Sequence, residues 1–134
     1  MIMDYKYPIG ENHADSVRSK TGKKLSDITL EEVKRGHVNA DDIKISKEML
    51  GAQGQVARAD DRPSMGENFD RASELVDVPD AEMLKMYNLL RPHRATKAQL
   101  LEMADELENK YKAVKCAKLV REAADIYEKR GILL

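Results

Sequence analysis

An all-α fold is predicted: a small open helical bundle with three main C-terminal helices, an irregular N-terminal arm and short N-terminal helices. Three observations point to it. Apolar residues recur at helical spacing along the C-terminal part of the chain. No segment alternates with period two for long enough to demand a strand. Aromatic residues make up only 4 % of the 134 residues and Trp is absent. A core must therefore be built from Leu, Ile, Val, Met and Ala, which suits helix packing better than sheets.

The chain is long enough for one domain, which at this size buries roughly 65 to 70 % of the surface its unfolded form exposes. We divide it into an irregular arm over 1–28 and a helical part over 29–134, a single domain overall. The arm has no sustained period, is punctuated by Pro8, Gly10 and Gly22, and on its own would need a partner to hold it. Thr29 and Glu32 then have capping-box spacing, and Gly36 stands where a left-handed terminating residue is wanted, giving a short helix over 30–35. Ser46 caps a second helix that turns Met49, Leu50, Val56 and Ala57 inward, although Gly51 and Gly54 weaken it.

Pro63 favours a break and a restart, with a third helix over 64–76 burying Phe69, Ala72, Leu75 and Val76. Pro79 fits the first position of a fourth, whose Met83, Leu84, Met86, Tyr87 and Leu90 cluster on one side until Pro92 ends it. Thr96 and Gln99 repeat the capping-box spacing before a stripe of Leu100, Met103, Ala104, Leu107 and Tyr111, with Glu102, Asp105 and Glu106 opposite. The last helix has Ala113, Cys116, Ala117, Val120, Ala123, Ala124 and Tyr127 on one face and closes at Gly131. The phase of the two stripes predicts a turn near 109–112; the alternative is one long bent helix.

Function classes narrow next. A formal charge of -1 gives no global field for nucleic acid or an anionic membrane. No window approaches the ~18 consecutive apolar residues of a membrane span, and the start, MIMDYKYPIG, lacks the basic-then-apolar order of a secretion signal. The lone Cys116 excludes an internal disulfide and agrees with the cytoplasm. His13, His37 and His93 are isolated from carboxylates and from Cys116 at ligand spacing, so no metal site is assigned. Cys116 lies on an inward face, where a thiol is an inert small hydrophobe. Gly51 and Gly54 spell the GxxG of a single-stranded RNA module but lack its flanking strands and basic surround. No Walker loop, GxGxxG or other phosphate cradle is present. No catalytic, cofactor-binding or metal-binding residue is assigned to this chain.

Two surfaces remain. Arg91, His93 and Arg94, followed by Lys110, Lys112, Lys115, Lys118 and Arg121, form a basic run that supports a nucleic-acid-binding or regulatory module. At steps of three residues, however, the lysines wind around the helix. Leu89, Leu101, Leu119 and Ile126 fall outside the tidy stripes; they either complete a core packed on two sides or form a partner surface. Candidate subunit contacts are Tyr87, Leu89, Leu101, Leu119 and Ile126.

Several stretches matter as a set: TGKKLSDITLEEV at 21–33, DDIKIS at 41–46, NFDRASELVDVPD at 68–80, MYNLLRP at 86–92, ADELE at 104–108 and LVREAADIYEKR at 119–130. Together they resemble the small (gamma) subunit of adenosylcobalamin-dependent diol and glycerol dehydratases, in order and spacing from residue 21 to the C-terminus. The resemblance implies a dimer of heterotrimers in which a TIM-barrel large subunit binds the 1,2-diol and a potassium ion. The cobalamin lies between large and medium subunits. The small subunit packs on the large one and supplies no atom to the radical conversion of diol to aldehyde and water. The enzyme would be cytoplasmic, either free or inside a bacterial microcompartment. Two departures stand out: Gly51, Gly54 and Pro63 interrupt what should be a more continuous helical segment, and the longer N-terminal extension of some microcompartment enzymes is not seen.

Overall fold

The computed structural model describes residues 4–134. Among them are seven α-helices and no strand: α1 (Ile9–Asn12), α2 (Leu30–Lys34), α3 (Lys47–Ala59), α4 (Pro63–Leu75), α5 (Asp80–Leu89), α6 (Lys97–Asn109) and α7 (Val114–Arg130). The expected all-helical class is what the chain adopts. Two compact units divide it, one ending at Val76 and the other comprising Asp77–Leu134.

The first unit is built on the antiparallel pair α3 and α4. Ser46 starts α3 by accepting the Met49 N–H at 3.2 Å, and Pro63 occupies the first turn of α4, where its missing N–H costs nothing. Neither Gly51 nor Gly54 breaks α3, so the interruption expected from the glycines does not occur. Gly54 instead marks a close helix crossing. A Cβ there would sit 3.2 Å from Asp70 Oδ1 and 3.4 Å from the Gly66 carbonyl oxygen, while a Cβ on Gly66 would come 2.8 Å from Arg58 Cγ. Two small residues let the backbones approach, and Arg58 spans the seam to Asp70 and, at 3.6 Å, to Glu67. Met49, Ala52, Gly54 and Ala57 are buried on α3, but Leu50 and Val56 are only half-covered. On α4 only Gly66 is buried; Phe69, Ala72, Leu75 and Val76 reach half-burial, because nothing in this unit closes over their face.

The arm is irregular as expected, yet it is held by its own chain. An isolated bridge pairs Arg18 with Lys24 and another pairs Ser19 with Ile45. The Lys20 N–H donates to the Lys44 carbonyl at 2.8 Å and its ammonium to the Val76 carbonyl at 2.7 Å. Asp42, buried at the start of the 42–46 stretch, accepts from the Thr21 hydroxyl at 2.7 Å and from the Asn39 N–H at 2.9 Å. These bonds hold its carboxyl below the usual carboxylate range, the Asn39 N–H contributing most and Thr21 next. At α2 the Thr29 hydroxyl accepts the Glu32 N–H, but the Glu32 carboxylate turns to Arg35 at 3.1 Å and His37 at 2.7 Å instead of completing the box. Gly36, at φ 77°, follows α2 as the left-handed residue that spacing demanded.

The second unit is an antiparallel α6–α7 hairpin with α5 beside it. Thr96 and Gln99 form the full capping box of α6. Leu100, Met103, Ala104 and Leu107 meet Ala113, Cys116, Ala117, Val120 and Ala124 in a continuous core. Between the helices the Ala113 N–H donates to the Leu107 carbonyl at 2.8 Å and Lys112 takes a positive φ of 57°, so the chain turns and the single bent helix is excluded. Ion pairs brace both ends: Lys97 to Glu128 and Asp125 at 2.6 and 3.1 Å, and Arg121 to Glu108 and Asp105 at 2.6 and 2.8 Å. Gly131 ends α7 at φ 65°, after which the Ile132 carbonyl accepts from His93 and the Leu134 N–H donates to Ala95. The Tyr127 hydroxyl reaches the Leu90 carbonyl at 2.6 Å, fixing the end of α5.

Candidate interaction surface

α5 departs most from its predicted stripe. Met86 is buried and Met83 and Leu90 are half-covered, but Leu84 and Tyr87, one turn apart, face solvent. Tyr87 is 65 % exposed, so it is no part of the α5 core stripe. Pro79 sits one position before the helix as its N-cap. Leu89 is half-buried and lines a shallow hollow of about 470 Å³ with Ala81, Leu84, Lys85, Asn88 and Arg94.

Of the other candidate contacts, Leu101 lies on the outer side of α6 and is partly exposed. Leu119 and Ile126, seven residues apart, share a flank of α7 and stand 48 % and 44 % exposed, so the second unit leaves both half-uncovered. Leu119 and Ile126 thus share one flank of α7, and Leu89 and Leu84 line one hollow. Leu84 escaped sequence reasoning because its position on the α5 stripe reads as core; the only available signal was the length of that stripe, too wide for a helix beside a two-helix hairpin.

The basic run is laced with acids. Lys110 pairs with Glu106 at 3.3 Å and lies over the Tyr111 ring; Lys118 pairs with Glu122 at 3.9 Å, and Arg121 is held by two carboxylates. Lys112 donates to the Asn109 carbonyl at the turn. With Lys110, Lys118 and Arg121 each paired to a carboxylate and the run wound around the helix, these cations do not make the continuous positive strip that phosphate tracking requires. Gly51 and Gly54 lie inside α3, which removes the loop that a GxxG clamp needs.

Among the described residues no group of three or more His, Cys, Asp or Glu side chains comes together as a metal site, and no helix is long and apolar enough to cross a membrane. His13 Nε2 accepts the Lys6 N–H at 2.8 Å beside the Tyr5 ring, and His37 faces Glu32. Cys116 is buried on α7. In the first unit the arm, the 43–45 strip and the α3–α4 pair enclose an apolar groove of about 950 Å³.

Helices that are well capped and paired, yet carry large apolar side chains into solvent, are the mark of a chain of the subunit class, which has apolar surface to spare. Comparison with known proteins makes this specific. The family model of the dehydratase small subunit matches residues 2–134, and the chain belongs to that family. It is 46 % identical over 124 residues to the propanediol dehydratase small subunit of Salmonella typhimurium, covering 92 % of this chain and 72 % of that one. It is 45 % identical, with the same coverage, to the corresponding subunit of Citrobacter freundii.

Proposed function

We propose that this chain is the small subunit of a coenzyme B12-dependent propanediol dehydratase and contributes contact surface to that complex without a catalytic group. The observation that carries the reading is the uncovered apolar flank of Leu119 and Ile126 on α7, beside the face where Cys116, Ala117, Val120 and Ala124 are buried. An apolar arc that wide exceeds what a surface helix of a lone bundle needs. The identity to two propanediol dehydratase small subunits supports the substrate class.

In this reading the large and medium subunits hold the adenosylcobalamin and the potassium ion, and the chain packs on the large subunit in a dimer of heterotrimers, in the cytoplasm or within a microcompartment. Tyr87, Leu89, Leu101, Leu119 and Ile126 serve as anchors, each burying apolar area on assembly. The test is co-expression with a tagged large subunit and a medium subunit. The unchanged chain co-purifies, and the double change Leu119→Asp with Ile126→Asp loses it. Equal recovery of the double variant removes that flank from the interface.

A further inference from the structure

The face of α5 that its own unit leaves bare carries a bias of charge as well as apolar area. Leu84 is 62 % exposed and, with Leu89, lines the hollow of about 470 Å³; Tyr87 stands in solvent one turn from Leu84. Lys85 and Arg94 line that hollow and no carboxylate does. From Met83 to Leu101 the sequence has no Asp or Glu, while it has Lys85, Arg91, Arg94 and Lys97. Two of those cations are occupied, Lys97 by Glu128 and Asp125, and Lys85 by Glu82 at 3.9 Å. Arg91 and Arg94 are exposed, and among the described residues neither guanidinium has an ion-pair or hydrogen-bond partner.

The loop that carries them is fixed at three points. The Tyr127 hydroxyl donates to the Leu90 carbonyl at 2.6 Å, the His93 N–H to the Ile132 carbonyl at 2.8 Å, and the Leu134 N–H to the carbonyl of the buried Ala95 at 2.9 Å. Between those clamps His93 takes a φ of 59°, a left-handed conformation that a residue with a side chain keeps only where its surroundings hold it. Arg94 is thus presented at the hollow by an ordered backbone, and only its side chain has freedom left to lose on binding.

We infer that this face seats a segment of the large dehydratase subunit in which a carboxylate stands beside a bulky apolar side chain. The apolar group packs into the hollow against Leu84 and Leu89, and the carboxylate pairs with Arg94. A planar guanidinium offers paired N–H donors that match two carboxylate oxygens, and apolar contact around the pair keeps water from weakening it. Tyr and Arg at an apolar pocket are also the residue types that dominate contact energies. Nucleic acid fits less well, because two free guanidinium groups beside aliphatic side chains make neither a phosphate track nor a series of stacking platforms. This inference rests on the proposed subunit role, which counts Tyr87 and Leu89 among its anchors, and it names the chemistry of the surface they meet.

The test uses the assembled complex with a tagged large subunit. Arg94→Glu lowers retention of the chain about tenfold or more and Arg94→Ala severalfold, while thermal melts of both match the unchanged chain, since this side chain holds nothing within it. Leu84 replaced by the photo-crosslinker p-benzoylphenylalanine gives an adduct with a large-subunit peptide that contains Asp or Glu, and changing that acid to Arg restores retention of the Arg94→Glu variant. Should a variant melt early, the crosslink and the charge swap decide. An adduct with the medium subunit, with a second copy of this chain or with nothing overturns the inference, as does a peptide without an acid or a swap that restores nothing. Equal recovery of Arg94→Glu overturns it too, and so does nucleic acid that the unchanged chain carries and the variant loses. In all of these cases the subunit role stands as long as the unchanged chain is retained. If the unchanged chain is not retained, that role fails and this inference falls with it.

Discussion

Asp42 shows how one side chain joins distant parts of the sequence. Its carboxylate closes the box at Asn39 and reaches back to Thr21 in the arm. Because those bonds favour the charged form, its pKa in the folded state lies below the unfolded value of about 3.9. Its stabilisation is therefore complete above that value and is lost as pH falls through the lower folded pKa. Asp42→Asn should flatten the acid limb of a stability profile below about pH 4, which urea melts at stepped pH measure. A second residue prediction concerns Leu100, which has no exposed surface. Leu100→Ala should cost about 2 to 5 kcal/mol, read as a lowered melting temperature. Leu100 was legible from its stripe, because helical period and burial coincide there. Asp42's role was not, since its partner lies 21 residues away and no local pattern records it.

At the scale of elements, the glycines of the α3–α4 pair behave oppositely. Nothing lies within 4 Å of a Cβ placed on Gly51, so Gly51→Ala should add roughly 0.5 to 1 kcal/mol by helix propensity alone. Gly66→Ala must push the Arg58 side chain away from its acid partners and should lose about 1 to 3 kcal/mol despite the same propensity gain. Paired denaturant melts check the sign of each. From sequence Gly51 and Gly54 alike read as helix weakeners, because the need for a small residue at Gly54 comes from the other helix. Caps and stops were readable for the opposite reason: Ser46, Pro63, the Thr96–Gln99 box and Gly131 act within four residues of themselves. Removing a cap makes a further prediction, with Thr96→Ala costing about 1 kcal/mol in the same assay.

The whole molecule leaves a large share of its bulky apolar side chains in contact with water, in both units. An apolar fluorescent dye should bind the isolated chain, and its signal should fall when large and medium subunits are added in stoichiometric amounts. Unchanged fluorescence on addition would argue against burial of these faces. The sequence showed surplus apolar residues on α7 but not the groove. That hollow depends on the arm folding back onto 41–45, a long-range arrangement that periodicity does not encode. Expectation put Leu84 and Tyr87 on one stripe with the buried Met86 for a related reason: amphipathic spacing marks a face that will be covered and is silent about which chain covers it.

Burial of Cys116 gives this protein a natural reporter. It is the only thiol in the chain and lies on the enclosed face of α7. A colourless disulfide reagent that releases a yellow product on reaction can reach that sulfur only when the hairpin opens. The rate of colour development therefore times those openings without any engineered label, and comparing it with and without companion subunits measures how firmly assembly clamps the second unit shut.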